Sequence, residues 1–425
     1  MERRCVPSAF PRHPRCLDAT EPLSQTKPTC FDFAPRTRVV FGPGALERLG
    51  ELVAEQGGRR VLLVTDPGIL AAGHVGRALD SLAAAGVHVS VFDGVVENPT
   101  TAVVDACVAQ ARRDEIDLLV GLGGGSSLDT AKGCNFVLTG GGRMEDYWGI
   151  GKATRPMLPL VAVPTTAGTG SECQSFALIS QQTTHVKMAC GDPKAAARVA
   201  ILDPELTLTQ PDAVAAATGI DALAHAVESA VTARRNAISA MFSREAFRLG
   251  WQGFRGVLAD PTDLEARGWM QLAAALAGAA IENSMLGAAH AAANPLTARY
   301  DVIHGRAVGL MLPAIVRFNA TDPAAAAIYQ ELAALAGLDA AAGDASAAAF
   351  ALAEALEGYL ALADLPQSLA EIGVGPEALP RLAEEAAGQW TAGFNPRGLA
   401  ADDFLQLYRS VSGGCPQHAV TGSQP

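Results

Sequence analysis

From Phe31 onward, short runs of Val, Ile and Leu alternate with longer stretches whose apolar residues recur every three or four positions. This is the pattern of parallel strands joined by helices in an α/β layer. The runs RVLLVT at 60–65, VHVSVF at 87–92 and IDLLVG at 116–121 predict strands. The spacing predicts helices over 69–85, 101–113 and 127–139. Each strand closes on a turn rich in Asp, Gly, Pro or Asn. Ligands of such sheets lie outside the carboxyl ends of the strands, so the chemistry is expected in those turns.

Beyond Leu202-Asp203-Pro204 the β-branched runs stop, and long Ala- and Leu-rich stretches follow with apolar residues at i, i+3 and i+4. The second half therefore reads as helical. Segments 324–336 and 347–363 look low in complexity, but Leu, Phe and Tyr recur in them at helical spacing, which predicts packed helices rather than linkers. The pattern predicts an α/β domain over 31–204 and an all-helical domain over 205–412, with tails at 1–30 and 413–425.

Composition agrees with two domains, since 425 residues with 49% hydrophobic content exceed one ordinary core. Lys and Arg number 32 against 44 Asp and Glu, a net charge of −12, which leaves no basic footprint for nucleic acid. The most apolar run, 272–281, ends at Glu282 and Asn283, and no segment reads as long enough to span a bilayer. The cysteines Cys5, Cys16, Cys30, Cys107, Cys134, Cys173, Cys190 and Cys415 form no CxxC pair, as expected of reduced thiols in a cytoplasmic protein. Residues 1–30 are proline-rich and aperiodic, which predicts a disordered tail or an over-long start, with organelle targeting by the early arginines as the alternative.

Three constellations carry candidate chemistry. The first is Gly121-Leu-Gly123-Gly124-Gly125-Ser126-Ser127-Leu-Asp129, between a predicted strand and a predicted helix. Glycines there let backbone N–H groups approach a phosphate at a helix N-terminus. The same residues also suit a merely structural turn, with Ser126 and Asp129 spaced as an N-cap pair. Upstream, Asp66 closes the strand VLLVTD, where a carboxylate could accept from ribose hydroxyls and favour NAD over NADP, or simply serve the turn before Pro67-Gly68.

The second constellation is PTTAGTGSE at 164–172, a polar and pliable loop suited to ribose or pyrophosphate, or a plain surface connection. Lys187 could add a cation to the same site or stand as a solvated lysine, and Phe176 is a candidate pocket wall or core residue. In the third, Asp221 and His225 stand at i and i+4 on a predicted helix, so both project from one face. With His290 and His304 they form a plausible four-ligand set for Fe(II) or Zn(II), although a single histidine on an apolar helix is usually a satisfied core residue.

These motifs, in order with TRVVFGPG at 37–44, Lys132 after the glycine turn, DALAHAVE at 221–228 and FNPR at 394–397, resemble the iron-containing (group III) alcohol dehydrogenase family over 31–409. The resemblance implies a dehydroquinate synthase-like fold, with an α/β cofactor domain, a helical metal domain and an active site in the cleft between. It implies metal ligation by Asp221, His225, His290 and His304. It also implies NAD contacts from Asp66, Asn98, Gly124, Gly125, Ser126, Thr165, Thr166, Thr169 and Lys187. The implied activity is metal-dependent, NAD-linked alcohol dehydrogenation or aldehyde reduction on a small substrate, with Fe(II), or else Zn(II), in a homodimer or larger oligomer.

One departure stands out. Many members carry a histidine four residues after the third ligand, where it is thought to help move the proton, and here that position is Asn294. Asn orients a hydroxyl or water but is no base at neutral pH. The same fold also serves hydroxyacid–oxoacid transhydrogenases and metal-independent maleylacetate reductases, and the intact Asp/His set argues against the latter. A non-catalytic nucleotide- and metal-binding protein is the remaining reading.

Overall fold

A computed structural model of the chain describes residues 30–184 and 186–413. Apart from Cys30 and Gly413, the expected tails lie outside the described residues. The strands among those residues are β1 (Arg38–Phe41), β2 (Arg60–Val64), β3 (His88–Phe92), β4 (Leu118–Gly123), β5 (Gly149–Ile150), β6 (Leu160–Pro164), β7 (Phe176–Ser180), β8 (Lys187–Gly191) and β9 (Val199–Leu202). The order β1-β9-β6-β4-β2-β3 makes one parallel sheet, and β5-β8-β7 make a smaller one.

The central strands are continuous aliphatic runs because helices cover both faces of the sheet. Strand alternation sends Leu62, Val64, Leu119 and Ala162 into one core and Val61, Leu63, Val120 and Val163 into the other. The helix predicted over 69–85 is two helices, Pro67–Ala71 and His74–Ala84, separated at Gly73, whose φ of 83° is left-handed and ends the first helix. The strand predicted at 116–121 begins later, at Leu118, because the Asp117 carboxylate turns back to accept from the Arg59 and Arg60 amides.

The last strand ends at Leu202, and the first long helix, Asp212–Val231, opens the helical half. Its core is built from Ile220, Leu223, Val227, Phe247, Leu310 and many alanines, whose small side chains let helices approach closely. Asp322 and Asp344 accept from the Ala325 and Ala347 amides and so fix where the alanine-rich helices Pro323–Leu335 and Ala345–Leu362 begin. The helix Ala345–Leu362 corrects one expectation. Its 18 residues and hydropathy of 1.3 meet the length and composition of a membrane span. Leu352, Leu356 and Leu360 nevertheless lie on one face in the core, as in a packed helix.

The two halves meet at the PTTAGTGSE loop. A Cβ added to Gly170 would run into the Ala274 carbonyl and the Gly278 backbone, so loop and helix Leu264–Ser284 touch backbone to backbone. Nearby, Glu282 accepts from the Ser175 amide at 3.0 Å, and Gln271 donates to the Pro164 carbonyl at 3.1 Å.

Candidate active site

Of the expected nucleotide contacts, Asp66, the Gly124–Ser126 turn and Thr165, Thr166 and Thr169 follow the adjacent strands β2, β4 and β6, whereas Asn98 follows β3 and Lys187 opens β8. The helix Gly125–Gly140 starts directly after β4 with Gly124 as its N-cap and no side-chain cap, which corrects the Ser126–Asp129 capping reading. Asp129 is turned inward, accepting from Ser171 Oγ at 2.7 Å and from the Leu178 amide at 3.1 Å. The glycine turn therefore keeps the uncapped, partly positive helix start that suits a phosphate.

The PTTAGTGSE loop packs against this turn. A Cβ on Gly125 would come within 2.8 Å of Thr169, and one on Gly124 within 3.3 Å of Thr166. Any side chain at Gly125 would have to displace Thr169, whereas at Gly124 the fit is tight. Thr165 lies beneath them, buried, with its amide donating to the Gly123 carbonyl at 3.0 Å. Asp66 has two roles: one oxygen caps Pro67–Ala71 through the Ile69 amide at 3.1 Å, and the other accepts from Ser127 Oγ at 3.3 Å. Lys187 donates to Asn98 Oδ1 at 3.3 Å, and Asn98 itself holds a left-handed φ of 50°.

In the helical half, helices Asp212–Val231, Ala288–Tyr300 and His304–Asn319 bring Asp221, His290 and His304 together, with one donor atom of each within 4.8 Å of the others. His225 stands at the edge of this compact set. Its Nε2 is 3.7 Å from Asp221 Oδ1 and its ring stacks on His290 at 4.7 Å. Each ring is oriented through Nδ1: His225 donates to the Gly168 carbonyl at 3.2 Å, His290 bonds Glu228, and His304 makes a long 3.5 Å contact with Thr297. That arrangement leaves every Nε2 free to face a metal, as outer partners of metal-binding histidines do.

Burial opposes ionisation of Asp221, but His225, His290 and His304 outweigh it and hold the carboxyl well below the usual range. Burial pushes His304 down to about 3 and lowers His225, so both imidazoles are neutral at pH 7. Burial also disfavours a charged His290, but Glu228 and Asp221 override it and raise the ring to about 9. Asp221 Oδ1 and His290 Nε2 are buried without a hydrogen-bond partner. Leaving such a pair unsatisfied costs about 1–3 kcal/mol per group, which a shared cation would remove. The residues present fit a divalent metal, and a carboxylate with imidazoles suits Fe(II) or Zn(II).

Three residues inside the motifs have roles that the sequence did not assign. Glu228 lies three residues beyond His225 on the face that carries Asp221, a helical spacing that would have flagged it. Lys132 is fully buried and donates to the Ser171 carbonyl, Ser171 Oγ and the Phe176 carbonyl at 2.6, 2.8 and 2.9 Å, tying the glycine-turn helix to the second loop. Asn395 of FNPR exchanges amide hydrogen bonds with Asn319, at 2.7 and 3.0 Å. Gln389, which accepts from Asn294 Nδ2 at 3.0 Å, carried no signal in the sequence.

The fold and the site define a nucleotide- and metal-dependent oxidoreductase. Residues 35–204 match the family model of iron-containing alcohol dehydrogenase, and residues 215–412 match the C-terminal model of the Fe-containing alcohol dehydrogenase family. The chain belongs to the iron-containing alcohol dehydrogenase family, and it is a metal-dependent, NAD-linked oxidoreductase of alcohols and aldehydes.

It is 36% identical to a 1,3-propanediol dehydrogenase of Klebsiella pneumoniae over 90% of this chain and 98% of that protein. It is 33% identical to an NAD-dependent methanol dehydrogenase of Bacillus methanolicus over 88% of this chain and 97% of that protein. A solved 1,3-propanediol oxidoreductase superposes with a TM-score of 0.87 at 35% identity, covering 90% of this chain and all of that one (100%).

Proposed function

We propose that this chain interconverts short primary alcohols, terminal diols among them, and their aldehydes, passing hydride between the carbinol carbon and NAD. The observation that carries the reading is the buried pair Asp221 Oδ1 and His290 Nε2, neither with a hydrogen-bond partner, in a chain that also carries the uncapped glycine turn. Relatives named for 1,3-propanediol, methanol and lactaldehyde support a substrate of very few carbons.

In this reading Asp221, His290, His304 and His225 hold the metal. A divalent metal bound there supplies Lewis acidity that lowers the pKa of an alcohol hydroxyl. Gly124, Gly125 and Ser126 receive the pyrophosphate, while Thr166 and Thr169 close over it and Thr165 supports them from below. Asp66 receives the ribose hydroxyls with the oxygen that faces Ser127, and the Lys187–Asn98 pair lines the cofactor side. Asn294, its amide fixed by Gln389, presents Oδ1 to orient the substrate hydroxyl. With Asn294 where many members carry a histidine, the proton leaves through water and the cofactor ribose. Holding both reactants in one cleft is worth up to about 7–11 kcal/mol of the barrier. The reading also takes 31–204 and 205–412 as the two working domains, Fe(II) as the metal, a homodimer as the assembly and the cytoplasm as the location.

The test is an NADH-coupled screen of short alcohols, diols and aldehydes, with metal content measured on the same preparation. Turnover that vanishes on chelation and returns with Fe(II) is expected. Steady NADH release with a single alcohol counts against the transhydrogenase reading, and metal-loaded, NAD-binding protein that turns over no alcohol or aldehyde would transfer the assignment to a non-catalytic binding protein.

A further inference from the structure

Strand alternation places Phe176 and Leu178 of β7 on one face of the small sheet, and the antiparallel register sets them opposite Gly191 and Ala189, with Lys187 paired to Ser180 at the far end. The other face, with Ala177, Ile179, Met188 and Cys190, is buried. The outward face carries Lys187, which donates to Asn98 Oδ1 at 3.3 Å. Leu178 remains 38% exposed there, an apolar side chain lining open space.

At the end of this face away from Lys187, the Phe176 ring lies over Gly191, where any Cβ would collide with it. The ring then stacks on Trp390 of the helical domain, with centroids 6.0 Å apart and planes inclined by 30°. Phe394 braces Trp390 edge-on at 5.6 Å. The residue before Trp390, Gln389, holds Asn294, one turn beyond His290. The aromatic pair therefore joins the small sheet to the helical half beside the segment that fixes Asn294, and Trp390 still exposes 44% of its surface.

We propose that Phe176 and Trp390 form an aromatic clasp that sets the length of alcohol this enzyme accepts. The clasp rests on the alcohol reading above. A short chain ends between the metal ligands and the clasp, in contact with Leu178 and the ring faces. A longer chain must push apart rings that Gly191 supports on one side and Phe394 on the other. Phe176 and Trp390 are thus specificity-determining residues, one from each domain.

The experiment compares kcat/KM for ethanol, butan-1-ol and hexan-1-ol in the wild-type enzyme, Trp390→Ala, Phe176→Ala and Trp390→Phe. Both alanine variants should raise the hexan-1-ol to ethanol ratio by about tenfold or more, chiefly through KM, the scale on which apolar pockets discriminate chain length. Trp390→Phe, which preserves a stacked ring, should keep the wild-type ratio. As a second readout, the emission of Trp390, obtained as wild type minus Trp390→Phe, should change on saturation with butan-1-ol in the absence of turnover. Ratios within about twofold of wild type in both alanine variants, or an unresponsive Trp390 emission, overturn the clasp. A wild-type enzyme that oxidises none of the three alcohols overturns the alcohol reading instead, so the two failures are told apart.

Discussion

Glu228 holds the Ala289-His290 step at two points: its Oε1 accepts from the Ala289 amide at 2.6 Å, and its Oε2 bonds His290 Nδ1. One carboxylate thereby satisfies the start of the helix Ala288–Tyr300 and fixes the tautomer that turns His290 Nε2 toward Asp221. Glu228→Gln should weaken metal binding by about 10- to 100-fold, the usual cost of losing such a partner. Chelator competition on refolded, metal-loaded protein measures it, with circular dichroism confirming the fold. An unchanged metal affinity would mean that Glu228 serves only the helix start.

Asp66 serves a cap with one oxygen and Ser127 with the other. Because glycine at an N-cap costs only a few tenths of a kcal/mol, Asp66→Gly should leave the fold intact. The NAD to NADP ratio of kcat/KM should fall by at least about tenfold, as the carboxylate that repels a 2′-phosphate is gone. An unaltered ratio would reduce Asp66 to its capping role.

Lys132 is surrounded by three oxygens and stands 4.0 Å from Asp129. Burial lowers the lysine and raises the aspartate, so each depends on the other to stay charged. Lys132→Met strands the Asp129 carboxylate and should cost about 3–5 kcal/mol in denaturant unfolding. The double variant with Asp129→Asn should recover some of that loss; a loss that stays equal in both would show that the charge pair is not its cause.

Burial pushes Glu172 up to about 7 from the ordinary carboxyl value of 4.5, with its own backbone N–H and Lys132 opposing the shift. The folded protein keeps this proton where the unfolded chain has released it, so the native state is penalised progressively as pH rises from 4.5 through 7. Glu172→Gln should therefore stabilise the protein above pH 7, by roughly 2–3 kcal/mol, and match it near pH 4.5. Thermal unfolding of both proteins across that range tests it, and a constant difference at every pH would refute the titration of Glu172 as the cause.

Sequence alone determined the α/β layer, the helical second half and the order of the motifs, because strand and helix periods and glycine-rich turns are local properties of the chain. It also supplied Asp221 and His225 as neighbours on one helix face, since i and i+4 always share a face. It misjudged 69–85, where a single left-handed glycine overrides continuous apolar spacing, and it left open a capping role for Asp129, whose side chain is buried against Ser171. Only the tertiary structure decided that His290 and His304, from separate helices, meet Asp221, that Glu228 and Gln389 hold their neighbours in place, and that Phe176 finds Trp390 across the cleft. Those contacts join residues tens to hundreds of positions apart. No periodicity encodes them, because they exist only once separate helices, and for Phe176 and Trp390 the two halves, have packed against each other.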